Sequence, residues 1–186
     1  MTEKEKWYIL RTYKDQEYEA ASRLEYAVPK SLCSVCRIPK KLKAFRASGE
    51  MRIVEDIMFP GYVFVKTVYP EKLQKELKKS RELPQFFPFG KGESGEDELI
   101  PVNQEDLDFL QTVCGKELQS PMGISDITLG ENRTILKASG VLNHYVDKIV
   151  RLNLHKRFAI VEIPLFNRSQ TVFFGIRLEQ DRSFVA

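Results

Sequence analysis

Cysteine is scarce in this sequence: Cys33, Cys36 and Cys114 are the only three, too few and too unevenly placed for a disulfide framework, which fits a reducing compartment. Only two histidines occur, and both read as hydrogen-bonding or surface groups, not metal ligands. No apolar run of about eighteen residues is present, and Met1-Thr2-Glu3-Lys4-Glu5-Lys6 leads into a strand pattern instead of an apolar leader, so no membrane association is expected and the chain reads as cytoplasmic. A phosphate-cradling glycine loop and a nucleophile elbow are both missing, and the carboxylates are scattered without pairing as acid and base. Cys33-Ser34-Val35-Cys36 has the spacing of a thiol redox pair or half a zinc site, but no second ligand pair accompanies it. The chain is therefore expected to be no enzyme and to need no cofactor or metal. A net charge of +3 is mild, so a nucleic-acid signal has to come from a local patch.

What is present is an ordinary globular composition, 42% hydrophobic and 30% charged, in a chain long enough for one large domain or two small ones. The most informative stretch is Met58-Phe59-Pro60-Gly61-Tyr62-Val63-Phe64-Val65. Proline lacks the ladder donor and glycine weakens a strand interior, so the Pro-Gly break belongs where a strand starts. Beyond it Tyr62 and Phe64 point to one face and Val63 and Val65 to the other. One face can be core while the other is offered to a partner.

Around that stretch the chain falls into two differently built regions. Trp7 to Tyr13 reads as a strand, Asp15 as an N-cap, and Tyr18, Ala21, Leu24 and Val28 as the inner face of a helix stopped by Pro29. Cys33 to Phe45, a turn at Ala47-Ser48-Gly49-Glu50, and Met51 to Ile57 form a long hairpin. Pro70 opens a second helix carrying Leu73 and Leu77, Phe86-Phe87-Pro88-Phe89 is an aromatic edge segment, and Asn103 opens a third helix with Leu107, Leu110 and Val113 inward. This order suits an α+β fold, an antiparallel sheet with packed helices, over residues 1–114. Residues 115–125 read as a linker. Over 126–186 the helical signal vanishes, and short strand candidates at Thr134–Lys137, Lys148–Asn153, Phe158–Ile163, Gln170–Phe174 and Ile176–Glu179 have the spacing of a small β-barrel.

The Trp7-Tyr8 strand, the helix after it, Phe59-Pro60-Gly61-Tyr62-Val63 after a hairpin, and a C-terminal barrel after a linker together resemble the NusG-type transcription elongation factors, with an NGN domain followed by a KOW domain. Gly140-Val141-Leu142 and the run Arg151 to Glu162 resemble most the specialised antiterminator branch called LoaP. The resemblance implies a monomeric factor that binds the clamp helices of RNA polymerase and suppresses pausing and termination. It puts Phe59, Tyr62, Phe64 and Phe86 at the polymerase-binding pocket. It also implies that the first helix and its loop lie over upstream DNA, with Arg11, Lys14 and Arg23 toward the non-template strand and Tyr13 or Tyr26 able to stack on a base. One departure stands out: Asn143 to Asp147 lacks the second glycine usual in a KOW opening turn, so that turn must be built differently.

The C-terminal region carries its own nucleic-acid signal. Lys148, Arg151, Lys156, Arg157 and Arg168 stand against the single acid Glu162, with Asn153 and His155 as neutral hydrogen-bonding groups. His155-Lys156-Arg157 reads as a tight turn projecting three polar side chains outward. Such a surface suits the phosphates of nascent RNA, a folded hairpin included. The alternatives from other classes are a stand-alone RNA-binding or ribosome-associated KOW protein, and a thiol oxidoreductase using Cys33 or Cys36 at low pKa.

Overall fold

The computed structural model describes residues 3–181. It divides into two compact units, one of Met1–Pro39 with Phe59–Leu107 and the other of Lys40–Met58 with Asp108–Ala186. The architecture is α+β, with antiparallel sheets, helices, and a curled C-terminal sheet of the KOW/SH3-like kind.

In the first unit, β1 (Lys6–Arg11), β2 (Val35–Arg37), β5 (Tyr62–Thr67) and β6 (Gln85–Phe86) form an antiparallel sheet in the order β2-β5-β1-β6. Strand alternation sends Tyr8 and Leu10 of β1 and Val63 and Val65 of β5 into one core. There they meet Leu24 and Val28 from α1 (Glu17–Ala27) and Leu73 and Leu77 from α2 (Pro70–Leu77). Pro70 stands at the start of α2, where its missing N–H costs nothing.

The inner face of α1 differs from the periodic expectation. Glu17, Ala20 and Leu24 are buried, while Tyr18 is exposed. The face is rotated because the buried Glu17 Oε1 accepts a hydrogen bond from the Gly61 N–H at 2.7 Å, an anchor that hydrophobic spacing cannot reveal. Asp15 is not the N-cap. It has φ +69°, and Gln16 occupies the cap position without a side-chain bond.

In the second unit, β3 (Lys40–Ala47) and β4 (Glu50–Ile57) pair in register from Lys40↔Ile57 to Ala47↔Glu50. The two-residue connection Ser48-Gly49 has φ +52° and +82°, the positive pair that a type I′ hairpin turn needs. A five-stranded sheet runs β8-β7-β11-β10-β9, from β7 (Ser125–Leu129), β8 (Ile135–Ala138), β9 (Ile149–Asn153), β10 (Phe158–Leu165) and β11 (Arg168–Leu178). Within this sheet, among the described residues, β7 and β11 pair in parallel and the other neighbours antiparallel. Ala159, Val161, Ile163, Val172, Phe174 and Ile176 alternate into its buried side.

Two details depart from expectation, and a third shows how the turn that lacks a second glycine is built. Gly175 does not break the last strand: β11 runs through it, because a Cβ there would lie 2.4 Å from the Leu42 carbonyl oxygen, and only glycine lets β3 approach so closely. The irregular stretch after α3 (Gln104–Cys114) is seated on β3, with Met122 fully buried and bonded to Lys40 and Leu42. The turn after Gly140 (φ +65°) is a 3₁₀ run over Val141–Lys148, which is how the chain manages without a second glycine.

Candidate functional site

Phe59-Pro60-Gly61-Tyr62 closes a turn in which the Tyr62 N–H bonds the Phe59 carbonyl at 3.1 Å and Gly61 takes φ +86°. Proline second and a positive-φ glycine third are the requirements of a type II turn. Gly61 is held on both sides, by Glu17 through its N–H and by the Thr12 N–H at its carbonyl, 2.8 Å away. This fixes the aromatic residues next to it. Phe59 stacks on Tyr62 at 6.3 Å between ring centroids and lies 6.1 Å from Phe64. The Phe87 ring meets Tyr62 edge-on at 5.2 Å, and Phe89 lies 4.8 Å beyond.

Three of the four aromatics named from sequence thus come together, and the fourth does not. Phe86 pairs with Leu10 across β6 and packs edge-on against Tyr8 at 5.8 Å, on the helix-covered face of the sheet. Its neighbour Phe87 joins the Tyr62 cluster. Choosing between adjacent phenylalanines requires the register of a two-residue strand, which sequence does not supply. Within the cluster, Phe59 is 4% and Phe64 0% exposed, whereas Tyr62 is half-buried. Phe64 therefore works as core, and Tyr62 presents accessible surface.

The three cations assigned to DNA have unequal settings. Arg11 and Lys14 are exposed on either side of the strand-to-helix loop, as is Tyr13. Arg23 is engaged by Glu19 at 2.5 Å and by Glu82 at 4.0 Å, which offsets its charge locally. Tyr26 is 96% exposed.

In the C-terminal sheet, β9 lies at an edge, and it carries Arg151 and Asn153, with Lys148 just before it. Lys148 and Arg151 are exposed. The turn between β9 and β10 forms where expected, with the Asn153 Oδ1 accepting from the Lys156 N–H at 2.9 Å. His155 and Lys156 project to the surface, but Arg157 does not. It has φ +55° and is 7% exposed, with Nε and Nη2 on the Asp181 carboxylate at 2.6 and 3.0 Å and Nη1 on the Leu154 carbonyl. A bidentate partner in the fold turned this guanidinium inward. Burial alone would raise the Asp181 carboxyl pKa, yet Arg157 and the Leu178 N–H hold it below its usual value. Arg168 is exposed at the opposite end of the β10–β11 hairpin from the His155 turn.

The sequence marks the β3–β4 hairpin but gives it no site residues, and the structure sets it in this unit. Lys41, Lys43, Phe45 and Arg46 of β3 line a cleft of about 670 Å³ together with His155, Lys156, Phe158 and Phe173. Lys41 is only 9% exposed, with its Nζ 4.8 Å from the Phe173 ring centroid. Burial lowers its pKa, with Asp56 opposing the shift. The alternating lysines of β3 were the available signal, but their neighbours lie over a hundred residues away in sequence.

Cys33 and Cys36 are half-buried free thiols. Burial pushes Cys33 up to about 11 and Cys36 up to about 12, the reverse of a reactive thiolate. Among the described residues, no three His, Cys, Asp or Glu side chains converge as a metal site, and no helix is long and apolar enough to cross a membrane.

Comparison with known proteins agrees with this layout. A solved structure described as "Domain interaction in Thermotoga maritima NusG" is similar over 94% of this chain and 96% of that chain, with a TM-score of 0.52 and 18% identity. That likeness is one of fold. No curated protein matches. The family model described as "Transcription termination factor nusG" matches residues 5–111, more than half of the chain, and the chain thus belongs to the NusG family of transcription factors.

Proposed function

We propose that this protein is a transcription elongation and antitermination factor that binds RNA polymerase through its N-terminal domain and touches nascent RNA through its C-terminal one. The observation that carries the reading is the aromatic cluster at the Phe59-Pro60-Gly61-Tyr62 turn, rigidly held and half-accessible at Tyr62. Aromatic anchors of about 150 to 250 Å² dominate binding hot spots, and Tyr62 is the contact with the clamp helices, supported from beneath by Phe59 and Phe64. Phe86 contributes from the other face by fixing β6. Arg11, Lys14 and Arg23 face the non-template strand. A factor that bridges two sides of the polymerase's own cleft favours the closed, pause-resistant polymerase, because it stabilises whichever state it binds better.

In functional terms the polymerase-binding part lies within residues 1–114, apart from the β3–β4 hairpin that folds with the second unit, 115–125 is the connector, and 126–186 is the KOW-like part. Lys148, Arg151, His155, Lys156 and Arg168 meet RNA phosphates, while Asn153 and Arg157 shape the turn that presents them. The factor acts in the cytoplasm as a monomer and belongs with the LoaP-like antiterminators. Transcription by purified polymerase through a terminator tests this, on templates with and without an upstream RNA hairpin. Read-through should rise when the protein is added, and more with the hairpin; unchanged termination on both templates would refute the reading. The exposed cations Lys148 and Arg151 at β9 also favour a second reading, a stand-alone RNA-binding or ribosome-associated protein, which predicts RNA binding without polymerase copurification.

A further inference from the structure

The cleft between the β3–β4 hairpin and the His155 turn has a composition that neither an apolar peptide groove nor a plain phosphate site would have. Two of its rings are accessible, Phe45 at 41% and Phe173 at 37%. Phe158 backs Phe173 at 5.1 Å with their planes at 59°, so Phe173 is held at a fixed tilt. Around these rings Lys41, Lys43, Arg46 and Lys156 bring four cations, Asp56 is the one lining carboxylate, and Arg157 is already matched by Asp181. Lys43 bonds Asp56 at 3.0 Å, which leaves the remaining three in excess. The volume of about 670 Å³ is in the range of sites that take small organic groups, a size that suits one or two nucleotides and not a duplex.

We propose that this cleft holds an unpaired nucleotide segment of RNA, with a base against Phe173 or Phe45 and its phosphates between Arg46 and Lys156. Flat rings with cations at their rim are how single strands are gripped, since every base has a stacking face and every linkage a charge. A protein partner would leave the excess cations uncompensated unless it were acidic, and it would not need two separated phenyl faces. The occupant is RNA and not DNA by continuity, because Lys156 belongs both to this rim and to the surface assigned to nascent RNA. Gly175 is part of the device. Its lack of a side chain lets β3 close on β11 and form the wall of the cleft.

This inference rests on the RNA reading of the C-terminal region, and the two can be separated. Fluorescence anisotropy of the full-length protein at one fixed salt concentration compares a uridine octamer, a thymidine octamer and a hairpin with no unpaired bases beyond its loop closure. Phe173→Ala and Phe45→Ala should each weaken the uridine octamer about tenfold and leave the paired stem nearly unchanged. Photocrosslinking of 5-iodouridine in the octamer should map to Phe45, Phe158 or Phe173. If stem and octamer both bind but neither variant discriminates between them, the cleft is not the site and the RNA reading survives. If neither RNA binds, both fall. Equal affinity for the thymidine octamer would overturn the assignment to RNA. Phe45 lies on the exposed hairpin, so Phe45→Ala keeps the test decisive if Phe173→Ala melts early.

Discussion

At the scale of single residues, Tyr62 and Phe64 stand on the same strand face and differ in what they do. Phe64 is wholly buried, so Phe64→Ala should cost about 3 to 5 kcal/mol and lower the melting temperature sharply. Tyr62 is half-buried, and Tyr62→Ala should cost far less stability while weakening polymerase binding in a pull-down with purified enzyme. Equal losses of stability for both variants would make Tyr62 a core residue. Arg157 offers a pH-dependent counterpart. The Asp181 carboxyl, held below its usual value against the opposing effect of burial, adds stability that is complete above its unfolded pKa of about 3.9 and drains away as pH falls toward the lower folded value. Acid titration followed by circular dichroism should show that loss, and Asp181→Asn should weaken the dependence. The same variant should destabilise the fold at neutral pH by about 3 kcal/mol, since it strands a buried guanidinium. A variant as stable as the parent at pH 7 would remove the pair from the list of stabilising contacts.

At the scale of elements, turn chemistry explains which parts of the fold could be read in advance. The Ser48-Gly49 and Pro60-Gly61 turns were legible because positive φ is a local demand that few residues meet. So was α2, where Pro70, Leu73 and Leu77 state both start and face. By contrast β7 escaped notice: its parallel partner β11 is some fifty residues downstream, and the alternation of Asp126, Ile127, Thr128 and Leu129 is too short to stand out beside a stretch read as a connector. Gly175 was misread for a similar reason, because a glycine that ends a strand and one that admits another backbone look alike in sequence. The corrected role predicts a measurable cost. Gly175→Ala places a methyl group against the Leu42 carbonyl and must push β3 outward, so it should destabilise by about 2 kcal/mol and speed proteolytic cleavage within Lys40–Ile57. Cleavage and melting unchanged from the parent would mean that the hairpin is not held by that approach.

At the scale of the whole molecule, the two proposed contacts should fail in different ways. Polymerase binding through Tyr62 is required on every template, whereas RNA binding through Arg151 and Lys156 matters only where the transcript offers a site. Tyr62→Ala should therefore abolish read-through with or without the hairpin. The double variant Arg151→Ala with Lys156→Ala should remove only the increment that the hairpin adds. In a salt titration of RNA binding it should also reduce the slope by about two, one for each lost phosphate contact. Arg157→Ala should behave otherwise, losing folded stability while its effect on the salt slope stays small, because its charge is matched inside the protein by Asp181. An equal reduction of slope from Arg157→Ala in protein that remains folded would mean that the guanidinium leaves Asp181 to reach RNA. The turn would then have to open on binding.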